Sequence, residues 1–275
     1  MSEAARASAP SPSIRVAVCG AAGRLGGAVL RKLAADTARF HVTASLVRAD
    51  SPLLGQSVAL DLLQIPEFTA DTGTWRNPRV VFDASRADAV ARHAEQAARD
   101  GVGLVVAVTG LPPAAIHALD EAAGRVPVLV SANLSLGVAV LARLVREAAQ
   151  RLPGYDVEIV EAHHTAKKDA PSGTALWLGQ EAARARGWPW PETANTGRHG
   201  ETGPRPSKEI GISSIRAGTV TGEHRVWLGG PGEHLELVHV AENRDAFASG
   251  ALEAIAFIAG ASPGRYTMED VTGSH

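Results

Sequence analysis

Cysteine is nearly absent from the chain: Cys19 is the only one among 275 residues. An intramolecular disulfide is therefore excluded, and a cysteine-based zinc site is not expected. Long apolar runs are missing too. No stretch approaches the ~18 consecutive apolar residues of a membrane-crossing helix. Nor is there an excess of one charge sign, since 27 Lys and Arg stand against 29 Asp and Glu, a formal net charge of -2. So even a balance gives no electrostatic footprint for nucleic acid, although it leaves room for a local basic site for a small anion. Residues 1–13 hold one arginine and no apolar centre. They read as a disordered leader, not a secretory signal. The expectation is a protein of a reducing cytoplasm, with no membrane, no nucleic acid and no metal.

What remains is ordinary globular material, 45% hydrophobic and 20% charged. That is enough for a sizeable core in one large domain or two modest ones. Ile14–Cys19 is a short apolar run ending at Gly20, which reads as a buried strand. Gly20-Ala-Ala-Gly23-Arg-Leu-Gly26 follows, and Leu25, Ala28, Val29 and Leu33 then recur at helical spacing, so a helix begins near Gly23. Strands are expected at His41–Val47, Arg79–Ala84, Gly103–Val108 and Val126–Val130. Helices are expected at Ala87–Arg99, closed by Asp100-Gly101, and at Pro113–Ala123. Residues 48–78 give little beyond a weak apolar patch at Val58 to Leu63. This alternation, with continuously apolar strands, argues for a parallel sheet covered on both faces.

The rhythm changes near residue 134. Leu136–Gln150 reads as an amphipathic helix, Val157–Ala162 as a strand and 174–186 as a helix. A loop rich in Trp, Pro and Gly spans 187–206. Ile210–Arg216, His224–Leu228 and His234–Val240 are strand-like, the last two flanking a Gly229-Gly-Pro-Gly232 hairpin signal. A second domain with an antiparallel or mixed sheet follows, and Asp245–Ala261 closes the chain as an apolar helix. No internal repeat is found.

Three places carry chemistry. The Gly20–Gly26 loop lies between strand and helix, where glycines admit a pyrophosphate and helix N–H groups receive it. A tight turn without a ligand is the other reading. The end of the second strand, where an acid holds the ribose of NAD, here offers Val47 or Arg48. An arginine there can bind a 2′-phosphate, which favours NADP(H); a solvated surface arginine is the alternative. Beyond the strand at 157–162, His163 and His164 precede Lys167, Lys168, a turn at Asp169-Ala-Pro171, and Ser172-Gly-Thr174 opening a helix. That combination points to an anion-binding helix N-terminus beside proton-donating groups. Adjacent histidines on a strand face opposite ways, so a metal pair is the poorer reading. Cys19, in a buried strand, reads as a core residue and not a nucleophile.

The segment Glu158-Ile-Val-Glu-Ala-His-His-Thr-Ala-Lys-Lys-Asp-Ala-Pro-Ser-Gly-Thr-Ala175 resembles the signature of the dihydrodipicolinate reductase (4-hydroxy-tetrahydrodipicolinate reductase) family. Gly20-Ala-Ala-Gly-Arg-Leu-Gly26 is similar to its G-x-x-G-R-M-G, and Ser131-Ala-Asn-Leu-Ser-Leu-Gly137 to its A-x-N-F-S-x-G. Ile215-Arg-Ala-Gly218 with Gly222-Glu-His224, and Asn243-Arg244 with Phe247-Ala248 and Gly250-Ala251, extend the likeness over about residues 14 to 271. The resemblance implies an α/β fold: a Rossmann-type parallel-sheet domain, 14–134 with 244–275, and an α+β domain with a mixed or antiparallel sheet at 135–243, serving substrate binding and oligomerisation.

It also implies an NAD(P)H-dependent reduction of a cyclic dicarboxylate in lysine and diaminopimelate biosynthesis, by a homotetramer. His163 matches the family's proton donor and Lys167 its second catalytic residue. His164, Ser172, Gly173 and Thr174 would hold the substrate carboxylates. Gly20, Ala21, Ala22, Gly23, Arg24 and Leu25 would hold the cofactor pyrophosphate, with Arg48, Ala107, Val108, Thr109, Ser131, Ala132, Asn133 and Leu134 completing the cofactor site. NADPH is the expected preference, with NADH also used. Departures from the family pattern fall on the cofactor side: Val47 for an acid, Ala107-Val-Thr-Gly110 for G-T-T-G, Asp83-Ala-Ser85 for D-F-T, and Leu134 for Phe. Three readings stay open at this point: the reductase, a diverged paralogue acting on another cyclic imine, and a non-catalytic Rossmann-fold binding module.

Overall fold

The computed structural model describes residues 13–57, 65–72 and 74–273. The expected leader, save Ser13, and the apolar patch at Val58 to Leu63 lie outside the described residues. The chain divides into two compact units: residues up to Val130 with Leu252–Arg265, and Ser131–Ala251 with the residues from Tyr266 onward.

The first unit runs β1 (Ile14–Cys19), α1 (Arg24–Ala35), β2 (Phe40–Val47), β3 (Phe68–Ala70), β4 (Val80–Asp83), α2 (Val90–Asp100), β5 (Gly103–Val106), α3 (Pro113–Ala123) and β6 (Pro127–Val130). The strands lie in the order β3-β2-β1-β4-β5-β6, and all of these pairs are parallel. This is the strand order of the doubly wound dinucleotide-binding fold. Val16–Cys19, Val80–Asp83 and Leu104–Val106 have no exposed surface, as expected of strands covered on both faces. Gly101 ends α2 at φ +67°, the left-handed cap that glycine adopts most readily. Strand β3 was not anticipated. It is three half-buried residues on the sheet edge, too short to show a period.

The second unit contains α4 (Leu136–Arg151), β7 (Asp156–His163), α5 (Gly173–Arg186), β8 (Ala194–Asn195), β9 (Ile210–Arg216), β10 (Gly222–Gly230) and β11 (Glu233–Ala241). The sheet order is β11-β10-β7-β9-β8. β10 runs antiparallel to β11 and β7, whereas β9 runs parallel to β7 and β8, so the sheet is mixed. One face of this sheet packs Val157, Ile159, Val226, Leu228, Ile210 and Ile212 against Leu141, Val145 and Leu178 of the two helices. The 187–206 segment is less free than a loop. β8 lies in it, and Arg205 Nη2 donates to the carbonyls of Val157 (3.0 Å) and Glu209 (2.6 Å).

The chain ends with α6 (Asp245–Gly260), β12 (Gly264–Tyr266), which joins the first sheet beside β6, and α7 (Met268–Thr272). The division between units falls inside α6. β12 and α7 were not expected. Arg146 ties α4 to α5 and α7 through Glu181 and Glu269.

Candidate active site

In the first unit the glycine loop is shaped by what surrounds it. Gly20 has φ +73°, and a Cβ there would overlap the Ala84 carbonyl. A Cβ on Gly26 would overlap the carbonyl of Gly20. Gly23 caps α1 in extended conformation, with no side chain accepting from the first turn. The helix N-terminus is thus uncapped and carries the positive end of the dipole, which fits a phosphate approaching along the backbone. Ala22, Gly23 and Arg24 are exposed there, and Ala21 is buried. Ala107, Val108 and Thr109 follow the end of β5, on the same carboxyl edge of the sheet. β2 ends at Val47, whose side chain is buried, so the position expected to carry an acid points into the core. Arg48 is the first exposed residue beyond it and pairs with Asp50 at 3.4 Å. Burial, and the neighbouring Asp83 and Asp71, push the Cys19 thiol well up, which keeps it an inert core group.

In the second unit the inward face of the sheet changes character along its strands. Val157 and Ile159 on β7 give way to Glu161 and His163 at the same alternation. On β10, Leu228 and Val226 give way to His224, which pairs directly with His239 on β11. An aliphatic core therefore ends in a row of buried polar groups. Glu161, with no exposed surface, is the centre of that row. Its carboxylate meets His163 Nδ1 at 2.5 Å, accepts from the Ser172 N–H at 3.0 Å, and takes both Nη groups of Arg216 at 2.8 and 2.7 Å. Ser172 Oγ accepts from the Ala175 N–H, capping α5, and is hydrogen-bonded to His224 Nε2 at 3.2 Å. Ser135 caps α4 in the same way and bonds His239 Nε2 at 3.1 Å. Asn133 Nδ2 donates to Thr174 Oγ1 at 2.9 Å, which joins the 131–134 segment to the start of α5.

The charges follow from these contacts. Burial opposes ionisation of Glu161, but hydrogen bonds from Arg216, His163 and Ser214 outweigh it and bring its pKa down to about 2. His163 is lowered by burial, and Lys167 and Arg216 push the same way against the pull of Glu161. His224 falls to about 3 through burial and its histidine neighbours. His163 therefore gives its Nδ1–H to Glu161 and keeps Nε2 as an unprotonated acceptor. Gly222 leaves the space around that nitrogen, since a Cβ there would lie 3.2 Å from it. Lys167 reaches Asp169 at 2.9 Å.

The structure brings together His163, His164, Lys167, Ser172, Gly173 and Thr174 in the second unit, with Ser131, Ala132, Asn133 and Leu134 beside them in the chain fold. Leu134 is buried, and its carbonyl occupies the place a Cβ on Gly250 would take. His163, the last residue of β7, is buried, and His164, just beyond the strand, is half-buried. Glu161, Arg216, His224, His239 and Ser135 received no role from sequence. The available signal was the period-2 pattern of β7, which puts Glu161 on the face of His163.

Two family models match the chain. The model described as dihydrodipicolinate reductase, N-terminus, matches residues 14–134, and the corresponding C-terminus model matches residues 137–272. The 4-hydroxy-tetrahydrodipicolinate reductase of Myxococcus xanthus is 42% identical over 270 residues, covering 94% of this chain and 98% of its own. That of Thiobacillus denitrificans is 41% identical over 265 residues, covering 95% and 99%. Among solved structures, a dipicolinate-bound dihydrodipicolinate reductase from Paenisporosarcina sp. TG-14 shares the fold with a TM-score of 0.73 at 23% identity, covering 93% of this chain and 98% of that one.

Proposed function

The chain belongs to the dihydrodipicolinate reductase family and is an NAD(P)H-dependent 4-hydroxy-tetrahydrodipicolinate reductase of lysine and diaminopimelate biosynthesis; we propose that His163 and Lys167 are its catalytic residues. The observation that carries this assignment is the Glu161–His163 pair, which fixes the ring tautomer beside a cationic, uncrowded helix N-terminus. The cofactor, when bound, supplies a hydride. The protein's task is then to hold the hydroxylated cyclic dicarboxylate and deliver one proton; in the net change hydride takes the place of the ring hydroxyl, whose C–O bond breaks and which leaves as water with that proton. Gly173 and Thr174 N–H groups, the Thr174 hydroxyl, His164 and Lys167 hold the two carboxylates by hydrogen bonds and charge. Bound carboxylates face Lys167 and offset the positive charge that depresses His163, so the imidazole takes a proton on Nε2 as substrate enters. Glu161, already ionised, stabilises the imidazolium so formed and keeps its orientation. Lys167 is the second donor within reach of the same carboxylates.

The uncapped N-terminus of α1 and the glycines at 20, 23 and 26 fit a pyrophosphate. Gly20–Leu25 hold it in this reading, Arg48 takes the adenosine end, and Ala107–Thr109 the nicotinamide end. NADPH is preferred to NADH because Arg48 offers a cation and Val47 no acceptor. The homotetramer is supported by the outer face of the mixed sheet. Ile215, Trp227, Val238 and Val240 are exposed there, opposite the histidine row. So many exposed apolar groups on one sheet face suit a partner surface. No helix among the described residues is long and apolar enough to cross a membrane, and we place the enzyme in the cytoplasm.

Loss of nicotinamide absorbance on adding 4-hydroxy-tetrahydrodipicolinate tests the assignment. The parent protein consumes one equivalent of reduced cofactor per substrate, and His163→Gln and Lys167→Ala do so far more slowly. A parent protein that bound cofactor without turnover would favour a binding module instead.

A further inference from the structure

The first unit contains a buried charged cluster that the reaction does not use. His93 of α2 has no exposed surface, yet both ring nitrogens contact carboxylates: Nδ1 lies 2.6 Å from Asp83 Oδ2 and Nε2 2.6 Å from Asp71 Oδ2. The donor atoms of Cys19, Asp71 and His93 also lie within 4.8 Å of one another. Both nitrogens of His93 are already committed to carboxylates, however, so hydrogen bonding accounts for the cluster without a metal.

Asp83 is the last residue of β4, and its other oxygen is equally engaged. Oδ1 accepts from the Ser85 N–H at 2.9 Å and from the Ser85 hydroxyl at 2.5 Å. The turn this creates touches the cofactor-side segments on both flanks. The Ala84 N–H donates to the Cys19 carbonyl at 3.0 Å, and the Ala107 N–H donates to the Asp83 carbonyl at 2.8 Å. The Ala84 carbonyl fills the space that a side chain on Gly20 would need. Asp71 is anchored separately. Its N–H donates to the Val47 carbonyl at 2.8 Å, and its carboxylate pairs with Arg92 at 3.0 Å.

We propose that His93 is a positioning residue for dinucleotide binding, holding the Asp83–Ser85 turn against the Gly20 loop through the Asp83 carboxylate. The proposal rests on the reading of the first unit as the cofactor domain. The chemistry requires the imidazolium, because a neutral ring has one N–H and cannot donate to two carboxylates. Burial works against that charge, but the bonds to Asp71 and Asp83 outweigh it and bring His93 up to about 9. The charged and titratable groups facing the ring are Asp83 from β4, Asp71 beyond β3, Arg92 from its own helix and the Cys19 thiol from β1. Above its pKa, one carboxylate faces a lone pair, and the turn loses its restraint.

The test is equilibrium titration of NADPH and of NADH into the parent protein and His93→Gln, read by nicotinamide fluorescence. The variant's dissociation constants rise by about tenfold, the worth of one charge-assisted hydrogen bond. Both cofactors lose the same factor, because the turn does not discriminate at the ribose. In the parent protein, both affinities weaken as the pH rises through about 9. Asp71→Asn, which leaves the Asp83–His93 bond in place, keeps the neutral-pH affinity and abolishes that break, because a neutral ring can give its one N–H to the carboxylate that remains. A lower melting temperature with unchanged cofactor affinity would make His93 a structural clamp only and overturn the proposal. Should His93→Gln not fold, an affinity in the parent protein that is flat through the same pH range overturns it equally. A parent protein that bound neither cofactor would overturn the cofactor reading itself, a result distinct from a parent that binds and a variant that is unaffected.

Discussion

His93 in the first unit and His224 in the second are hidden from water to nearly the same degree, 0% and 4% exposed. Their charges are nevertheless opposite. His93 stands between two carboxylates and is raised to about 9, whereas His224 stands between His163 and His239, hydrogen-bonded to a serine, and is lowered to about 3. Burial disfavours the cation in both places, so the partners decide the outcome. A fixed imidazolium between carboxylates is suited to scaffolding, because it gains nothing by losing its proton at neutral pH. A row of neutral imidazoles beside one ionised glutamate is suited to catalysis, because an arriving dianion can draw a proton into it.

The largest expected effect is on turnover and falls only on the second cluster. His163→Gln and Lys167→Ala each lower kcat by ~10²- to 10⁴-fold, the usual contribution of a positioned proton donor. Cofactor dissociation constants stay as they are, since neither residue is among those assigned to the cofactor. Steady-state kinetics with a cofactor titration check this. Near-normal turnover in either variant would remove that residue from the mechanism.

Next in size is the buried anion that the second cluster depends on. Arg216→Met leaves Glu161 without its bidentate partner while keeping the apolar stem. Breaking a buried pair from one side costs roughly 3 kcal/mol, because the remaining charge is uncompensated. Urea denaturation should show a loss of this order with the m-value preserved. A loss below about 1 kcal/mol, the level of an exposed pair, would mean that His163 and the Ser172 N–H suffice for Glu161.

The two histidines also predict opposite pH limbs. His93 is raised in the folded state, so its contribution is fully present below about 6.5 and is lost as the pH rises through about 9. His224 is depressed, so its contribution is present above about 6.5 and is lost as the pH falls toward about 3. Each site adds a slope of at most ~1.4 kcal/mol per pH unit. Stability curves of His93→Gln should lose the alkaline limb, and those of His224→Asn the acid one. If either substitution flattened the wrong limb, the contrast between the clusters would be misassigned.

These clusters also mark how far the sequence could be read. The parallel sheet was legible because β1, β4 and β5 are continuous apolar runs and Gly20, Gly101 and Pro113 punctuate them. The proposed catalytic segment could be picked out because His163, Lys167 and Ser172–Thr174 lie close together in sequence. Glu161 pairs with Arg216 across two strands, and His224 meets Ser172 across 52 positions, so their roles follow from strand register, which the sequence does not display. The Asp71–His93–Asp83 cluster was hidden for the same reason, as it joins a strand edge, a strand end and a helix. β3 and α7 were too short for any periodicity to emerge.

The smallest expected effect concerns the rim of the first unit. Val47 is buried and has no acceptor for a ribose hydroxyl, and Arg48 just beyond it is exposed. Its present partner, Asp50, is also exposed, and such a pair contributes less than about 1 kcal/mol, so a phosphate can displace it. A charge-assisted contact is worth ~1.5–3 kcal/mol, and solvent around Arg48 places it at the lower end. NADPH should therefore bind about tenfold more tightly than NADH. Arg48→Ala should remove that preference by weakening NADPH alone, whereas His93→Gln weakens both cofactors together. Asp50→Asn sharpens the comparison, since removing the competing carboxylate should strengthen NADPH binding and leave NADH unchanged. Equal affinities in the parent protein, or an NADPH preference that survives Arg48→Ala, would show that Arg48 is a solvated residue and that specificity is set elsewhere on the rim.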